Sequence, residues 1–328
     1  MRTTTTRLIA VSAALALAGA ALAACGNSSD TGASDTGATE QEAGTDTDDA
    51  DDTTDEGAAD DAEGADFAGG SITIPIASGW DEDVVVTALW QHVLQEKGYT
   101  VDTPILDIGF IFEGIASGEY DFFFDTWLPN THKQYWTDFG DKVVDVGVWY
   151  ENAPLTIAVP DYMDIDSMAD LASIADQVDS TITGIDPGAG LTDVTENSMM
   201  PAYGLDDWTL TTSSTSAMLA ELQNAIDAQQ PIVVTLWKPH WAYGAFPIKD
   251  LADPEGAMGE PDEIHTIANP DFADADPAVI EALANFTISD EQLASLEVAM
   301  LQDHEDDPDV GLAEWISANQ DYVDSLLG

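Results

Sequence analysis

Tyr120-Asp121-Phe122-Phe123-Phe124-Asp125-Thr126-Trp127-Leu128-Pro129-Asn130-Thr131-His132-Lys133 is the stretch whose reading decides the fold. Its first five residues form the apolar run of a strand buried on both faces. The segment from Asp125 to Lys133, turned at Pro129, then reads as the loop leaving that strand's carboxyl end. Open α/β sheets hold their ligands at that end. There Trp127 could present a ring face to a cation and His132 one hydrogen bond to an anion. Taken alone, the same two residues fit equally well a core Trp beside a surface His.

Working outward, Ser71 to Ala77 alternates like a first strand, Gly79-Trp80 interrupts it, and Val84 to Lys97 has helical apolar spacing that ends at Gly98. A second strand is expected within Tyr99 to Leu106, and Phe110, Phe112 and Ile115 predict a short helix. Such β-α repetition is α/β organisation, and it places Trp80 and Trp127 on loops at the carboxyl ends of strands in one sheet. Further on, Leu155 to Val159 predicts a strand closed by Pro160, and Ile165 to Val178 an amphipathic helix. Thr181 to Ile185 predicts another strand, and Asp186-Pro187-Gly188-Ala189-Gly190-Leu191-Thr192 a turn entering a helix through about Met199. Glycines permit close backbone approach, and free amides at a helix start hold anions. The spacing fits neither a phosphate-loop nor a dinucleotide fingerprint.

A helix from Ser214 to Ala228 and a β-branched strand from Pro231 to Thr235 lead into Leu236-Trp237-Lys238-Pro239-His240-Trp241, again aromatics placed after a strand. Ile264 to Ile267 predicts a strand returning to the first lobe, and helices are expected over 277–286, 291–301 and 312–327. Trp90, Trp136, Trp149, Trp208 and Trp315 lie outside these motifs and read as core or surface residues.

The termini and the charge set the cellular context. Arg2 and Arg7 precede an apolar run from Leu8 to Ala23, shorter than the roughly 20 residues a membrane span needs. Residues 1–24 therefore read as a secretory signal peptide. Leu22-Ala23-Ala24-Cys25 resembles a bacterial lipobox, which implies lipidation of Cys25, and an ordinary signal peptide with an incidental Cys is the alternative. Cys25 is the chain's one cysteine, so a monomer can form no disulfide. From Gly26 to Gly70 the composition is mostly Asp, Glu, Thr, Ser, Ala and Gly, with Phe67 its only aromatic and no basic residue, the signature of a disordered acidic tether. The net charge of -56 opposes nucleic acid and anionic membrane surfaces.

Three stretches together, Trp127 to Lys133, Asp186 to Gly190 and Trp237 to Trp241, resemble the motifs of glycine betaine-binding proteins of ABC importers, over about residues 71 to 325. The resemblance implies a two-lobed α/β periplasmic-binding-protein fold (type II-like), with two hinge crossovers and a ligand cleft between lobes. Lobe 1 would comprise about 71–152 and 262–328, and lobe 2 about 153–261. It also implies that Trp80, Trp127 and Trp237 box a quaternary ammonium while His132 and the amides of Gly190 and Leu191 hold a carboxylate. His240 and Trp241 are further candidates for ligand contact. Leu236 stands where the family usually has Gly, which raises the expectation of a reoriented Trp237 or a narrower pocket.

The implied role is that of an extracytoplasmic, lipid-anchored monomer that captures glycine betaine or a related zwitterion for an ABC permease and its ATPase. The alternative is a membrane-tethered solute sensor, and choline, carnitine, proline betaine and ectoine compete as ligands. The physics suits the division of labour. A quaternary ammonium has no N–H, so only ring faces and dispersion recognise it, each desolvated ring contributing up to about 2 kcal/mol. Three rings fall short of the roughly 8 kcal/mol that micromolar affinity requires, so the carboxylate contacts must supply the rest. No Gly-x-Ser-x-Gly elbow and no His-Glu-x-x-His helix occurs, and neither catalytic residues, nor a metal, nor a cofactor is expected.

Of the 63 acidic residues, 48 fall within residues 71–328 beside only five basic ones. Such self-repulsion is screened by salt. The melting temperature is expected to rise as sodium chloride goes from millimolar to molar, and a flat or falling curve in scanning calorimetry would contradict this.

Overall fold

Residues 67–326 are described by the computed structural model. The expected signal peptide, Cys25 and nearly all of the tether lie outside the described residues. In chain order the first lobe opens with β1 (Gly70–Thr73), β2 (Ile76–Ala77), α1 (Asp81–Glu96), β3 (Tyr99–Asp102), β4 (Ile105–Leu106) and α2 (Ile108–Ser117). β1 pairs in parallel with β3, and β2 with β4. α1 buries Val85, Val86, Leu89, Trp90, Val93 and Leu94, the three-and-four spacing of one helical face. α2 stops at Gly118, which adopts φ 80°, a left-handed conformation that glycine takes without a Cβ penalty.

Next come β5 (Phe122–Leu128), α3 (Lys133–Phe139) and β6 (Val144–Ala153). A single residue, Pro154, separates β6 from β7 (Leu155–Pro160), the first strand of a second sheet. That sheet is completed by β8 (Thr181–Thr183), β9 (Thr209–Thr211), β10 (Val234–Trp237) and β11 (Ile248–Asp250), in the order β11-β7-β10-β8-β9. The chain then returns through residues 251–261 to β12 (Asp262–Ala268), which lies between β5 and β6 and is antiparallel to both. The fold is thus two-lobed, and the backbone passes between the lobes at two places.

Four local expectations are corrected. Trp127 is not on a loop: β12 pairs Ile264 with Trp127 and Glu263 with Leu128, so ladder partners carry β5 four residues past the point where its apolar run ends. Trp237 likewise closes β10, opposite Leu155 of β7. The strands that precede Trp80 and Trp127 belong to separate pairings, and β5 pairs antiparallel with the returning β12. The helix expected over Ile165 to Val178 is wound as 3-10 turns from Met168 to Gln177, with Ser167 capping the Ala169 N–H and the Ser173 hydroxyl bonded to the Asp170 carbonyl.

The first lobe is cored by aromatic residues. Trp90 packs against Phe124 (5.8 Å between ring centroids) and edge-on to Phe286 (5.4 Å), while Trp149 stacks on Phe286 and donates its indole N–H to the Phe124 carbonyl at 2.6 Å. These contacts lock α1 against β5 and β6, the elements that carry the first half of the site. Among the described residues no helix is long and apolar enough to cross a membrane.

Candidate functional site

A cavity enclosing about 280 Å³ lies between the lobes, lined by Trp80, Trp127, His132, Gly190, Leu191 and Trp237 among others. All six residues named from the sequence are therefore brought together. Each reaches the cavity for a local reason. Trp80 is the N-cap residue of α1, with extended φ and ψ. Trp127 and Trp237 end β5 and β10, and Gly190 and Leu191 open α4 (Gly190–Val194). The first N–H groups of a helix have no intrahelical acceptor, so the Gly190 and Leu191 amides are free to meet an anion.

His132 is the most constrained group. Its ring is wholly buried and stacks on Trp80 with 5.4 Å between centroids and 12° between planes. Nδ1 accepts the backbone N–H of Trp127 at 2.9 Å, while the His132 N–H donates to the Trp127 carbonyl at 3.0 Å. A backbone N–H can only donate, so the proton of the neutral ring sits on Nε2. That atom has no partner among the described residues. Burial pulls the imidazole pKa down to about 3, so the cavity is offered a neutral N–H donor at ordinary pH.

The loop carrying His132 is pinned by a residue that pattern reading did not single out. The Asp262 carboxylate accepts the N–H groups of Asn130 (2.7 Å) and Thr131 (2.8 Å) and the Thr131 hydroxyl (2.5 Å). Asp262 is 132 positions away from Asn130, and nothing local in either segment signals the pairing. Across the cleft, a Cβ on Gly190 would stand 2.1 Å from the Thr131 carbonyl oxygen, so glycine is required there by close approach.

His240, Trp241 and Leu236 do not line the cavity. His240 supports Trp237 from the side, edge-on at 4.7 Å, and its Nδ1 accepts the Ala242 N–H. Trp241 donates its indole N–H to Asp81, a hydrogen bond between the lobes. Leu236 is fully buried and, one position before Trp237 on a strand, points to the opposite sheet face. It therefore neither narrows the pocket nor meets the ligand. Glu82, Thr131, Leu155, Ile185 and Ala189 also line the cavity, though none of them is among the candidates for ligand contact read from the sequence.

Glu82 belongs to a group of buried acids around the start of α1. Burial pushes Asp81 up to about 6, Asp125 to about 7 and Glu297 to about 8, and burial with the nearby Asp125 charge lifts Glu82 and Asp83 well above the carboxylate range. Among the described residues no group of His, Cys, Asp and Glu is arranged to hold a metal ion.

A family model described as the substrate binding domain of ABC-type glycine betaine transport system matches residues 70–318. The chain is 40% identical over 152 residues to the glycine betaine/carnitine transport binding protein GbuC of Listeria monocytogenes, covering 46% of this chain and 50% of that one. It is 28% identical over 193 residues to the glycine betaine/proline betaine-binding periplasmic protein of Escherichia coli, covering 54% and 58%. The chain thus spans little more than half the length of these relatives. Its structure resembles the closed-liganded conformation of lactococcal OpuAC complexed with glycine betaine, with a TM-score of 0.73, 31% identity, and coverage of 79% of this chain and 99% of that one. A choline-binding protein of an ABC transporter in complex with choline, 21% identical with a TM-score of 0.72 and coverage of 78% and 91%, shares the fold.

The raised carboxyl pKa values fix the sign of one pH effect. An unfolded chain sheds these protons near pH 4, whereas the folded chain keeps them to about pH 6 to 8, so stability falls as pH rises through that interval. His132 and His240, both held to about 3, oppose this only once pH drops below the unfolded value of about 6.5. The melting temperature is therefore expected to rise as pH is lowered from about 8 to about 6.5. Circular dichroism melts across that interval check it, and a fall on acidification would show that these acids are ionised in the folded state.

Proposed function

The chain belongs to the family of substrate-binding domains of ABC-type glycine betaine transport systems, and from that premise we propose that it captures glycine betaine or a closely related zwitterion outside the cytoplasm and delivers it to an ABC permease. The family is one of binding components of transporters and not of enzymes. The observation that carries the proposal is one cavity in which three indoles, Trp80, Trp127 and Trp237, adjoin a neutral His132 Nε2–H and the first amides of α4. The rings serve a trimethylammonium group that cannot donate a hydrogen bond, and the donors serve a carboxylate. Since the donors divide between the lobes, a zwitterion bridging them stabilises the closed state by contacts made only there. Lobe 1, about 71–152 and 262–328, supplies Trp80, Trp127 and His132, and lobe 2, about 153–261, supplies Trp237, Gly190 and Leu191. The lipobox-like segment ending at Cys25 supports anchoring of the domain at the outer membrane face through a diacyl group.

Titration calorimetry with glycine betaine and glycine tests the box. Glycine's ammonium brings three N–H donors that indole faces leave unsatisfied, so it should bind far more weakly. Trp80→Ala, Trp127→Ala and Trp237→Ala should each cost roughly 1 to 2 kcal/mol, about fivefold to thirtyfold in Kd. His132→Ala should weaken glycine betaine but affect choline, which has no carboxylate, much less. Equal binding of glycine and glycine betaine, or three unaffected Trp variants, would overturn the assignment.

The anchor is tested separately. Cys25→Ala should move the protein from the membrane fraction to the medium or periplasm, whereas shortening the acidic segment should leave it attached. Unchanged fractionation of Cys25→Ala would count against lipidation.

A further inference from the structure

Glu82 differs from the other acids around it. Asp83 accepts the Ala77 N–H (2.6 Å) and the Thr87 hydroxyl (3.3 Å), Asp125 accepts the Trp127 indole N–H (2.7 Å), and Asp81 accepts the Trp241 indole N–H. Glu82 is 1% exposed, lines the cavity, and its Oε2 has no hydrogen-bond partner among the described residues. The Trp237 indole N–H lies close enough to favour its charged form without making a hydrogen bond of ordinary geometry. A buried carboxylate left unpaired beside an apolar wall is costly, so with Asp125 on β5 and Glu297 on the helix Asp290–Val298 also facing it, Glu82 keeps its proton. A fixed positive charge brought into the same cavity reverses that balance, because it supplies the counter-charge the site lacks.

We propose that Glu82 is the acidic wall of the cation subsite and that it surrenders its proton when a quaternary ammonium enters, so that ligand capture and release of one proton are a single event. The inference rests on the reading of the cavity as a quaternary-ammonium site. In the step the Glu82 O–H bond breaks, the electron pair stays on the carboxylate facing the ligand's cation, and the proton passes to solvent. His132 does not take it up, since its Nδ1 is occupied by the Trp127 N–H and its Nε2 already carries a proton. The ligand's own carboxylate is met by the His132 and α4 donors, so the two ends of a zwitterion find separate partners. The exchange would also favour quaternary cations over neutral solutes of the same shape.

Calorimetric titration of glycine betaine into the protein, in buffers of different ionisation enthalpy, counts the protons released. Wild type is expected to release close to one, and its Kd to tighten by up to about tenfold per pH unit across the interval in which Glu82 is protonated only when unliganded. Glu82→Gln should release none and show a nearly flat Kd over the same interval, with wild type the tighter binder at its alkaline end. Infrared difference spectra of wild type need no variant and should show loss of a buried protonated carboxyl band on ligand addition. Binding by wild type without proton release, spectra without loss of that band, or proton release undiminished in Glu82→Gln would each overturn the proposal while leaving the proposed function standing. Failure of wild type to bind any quaternary ammonium would instead overturn the proposed function, and this inference with it.

Discussion

The site depends on the reciprocal pair of bonds between Trp127 and His132. Because Nδ1 is committed to a backbone N–H at 2.9 Å, the imidazole can present only Nε2–H to the cavity, and its full burial keeps it neutral. A charged imidazolium in the same place would sit beside the three indoles as a rival cation for their faces. A fixed neutral donor leaves those faces to the ligand. The stack of His132 on Trp80 then sets the position of the first ring, which α1 alone would leave free to rotate.

Closure of the cleft is written into close contacts that span it. Thr131 abuts Gly190, Trp241 donates to Asp81, and the Tyr135 hydroxyl donates to the Gly188 carbonyl at 2.9 Å. None of these is a contact with ligand, yet all are made only with the lobes together. Asp262 performs a related service within the first lobe, holding the Asn130-Thr131 turn so that its carbonyl meets Gly190 at the right height.

The acids of α1 occupy a helix start, where negative charge is favoured, yet they are too deeply buried for that to keep them ionised. Their neutralisation lets an exceptionally acidic chain bury carboxyls beside an aromatic cavity. The surface acids answer to a different constraint, solvation and salt screening, and the two populations respond differently to pH.

The sequence by itself determined the α/β class, the three aromatic motifs and the six residues Trp80, Trp127, His132, Gly190, Leu191 and Trp237, because strand ends, proline turns and glycine-led helix starts leave local, periodic marks. It marked neither Asp262 nor Glu82, since one acts on a turn 132 positions away and the other sits in a run of three acids that looks like an exposed first helical turn. The end of β5 was misplaced for the same reason: its last residues are strand only because β12, returning from the other lobe, pairs with them. His240 and Trp241 carried the right chemistry for ligand contact, and packing behind Trp237 and against Asp81 gave them to the walls instead. Local sequence thus decided which groups could bind, and the tertiary structure decided which of them face the cavity, which are neutral and which hold the lobes together, because burial and long-range partners exist only once the chain has folded.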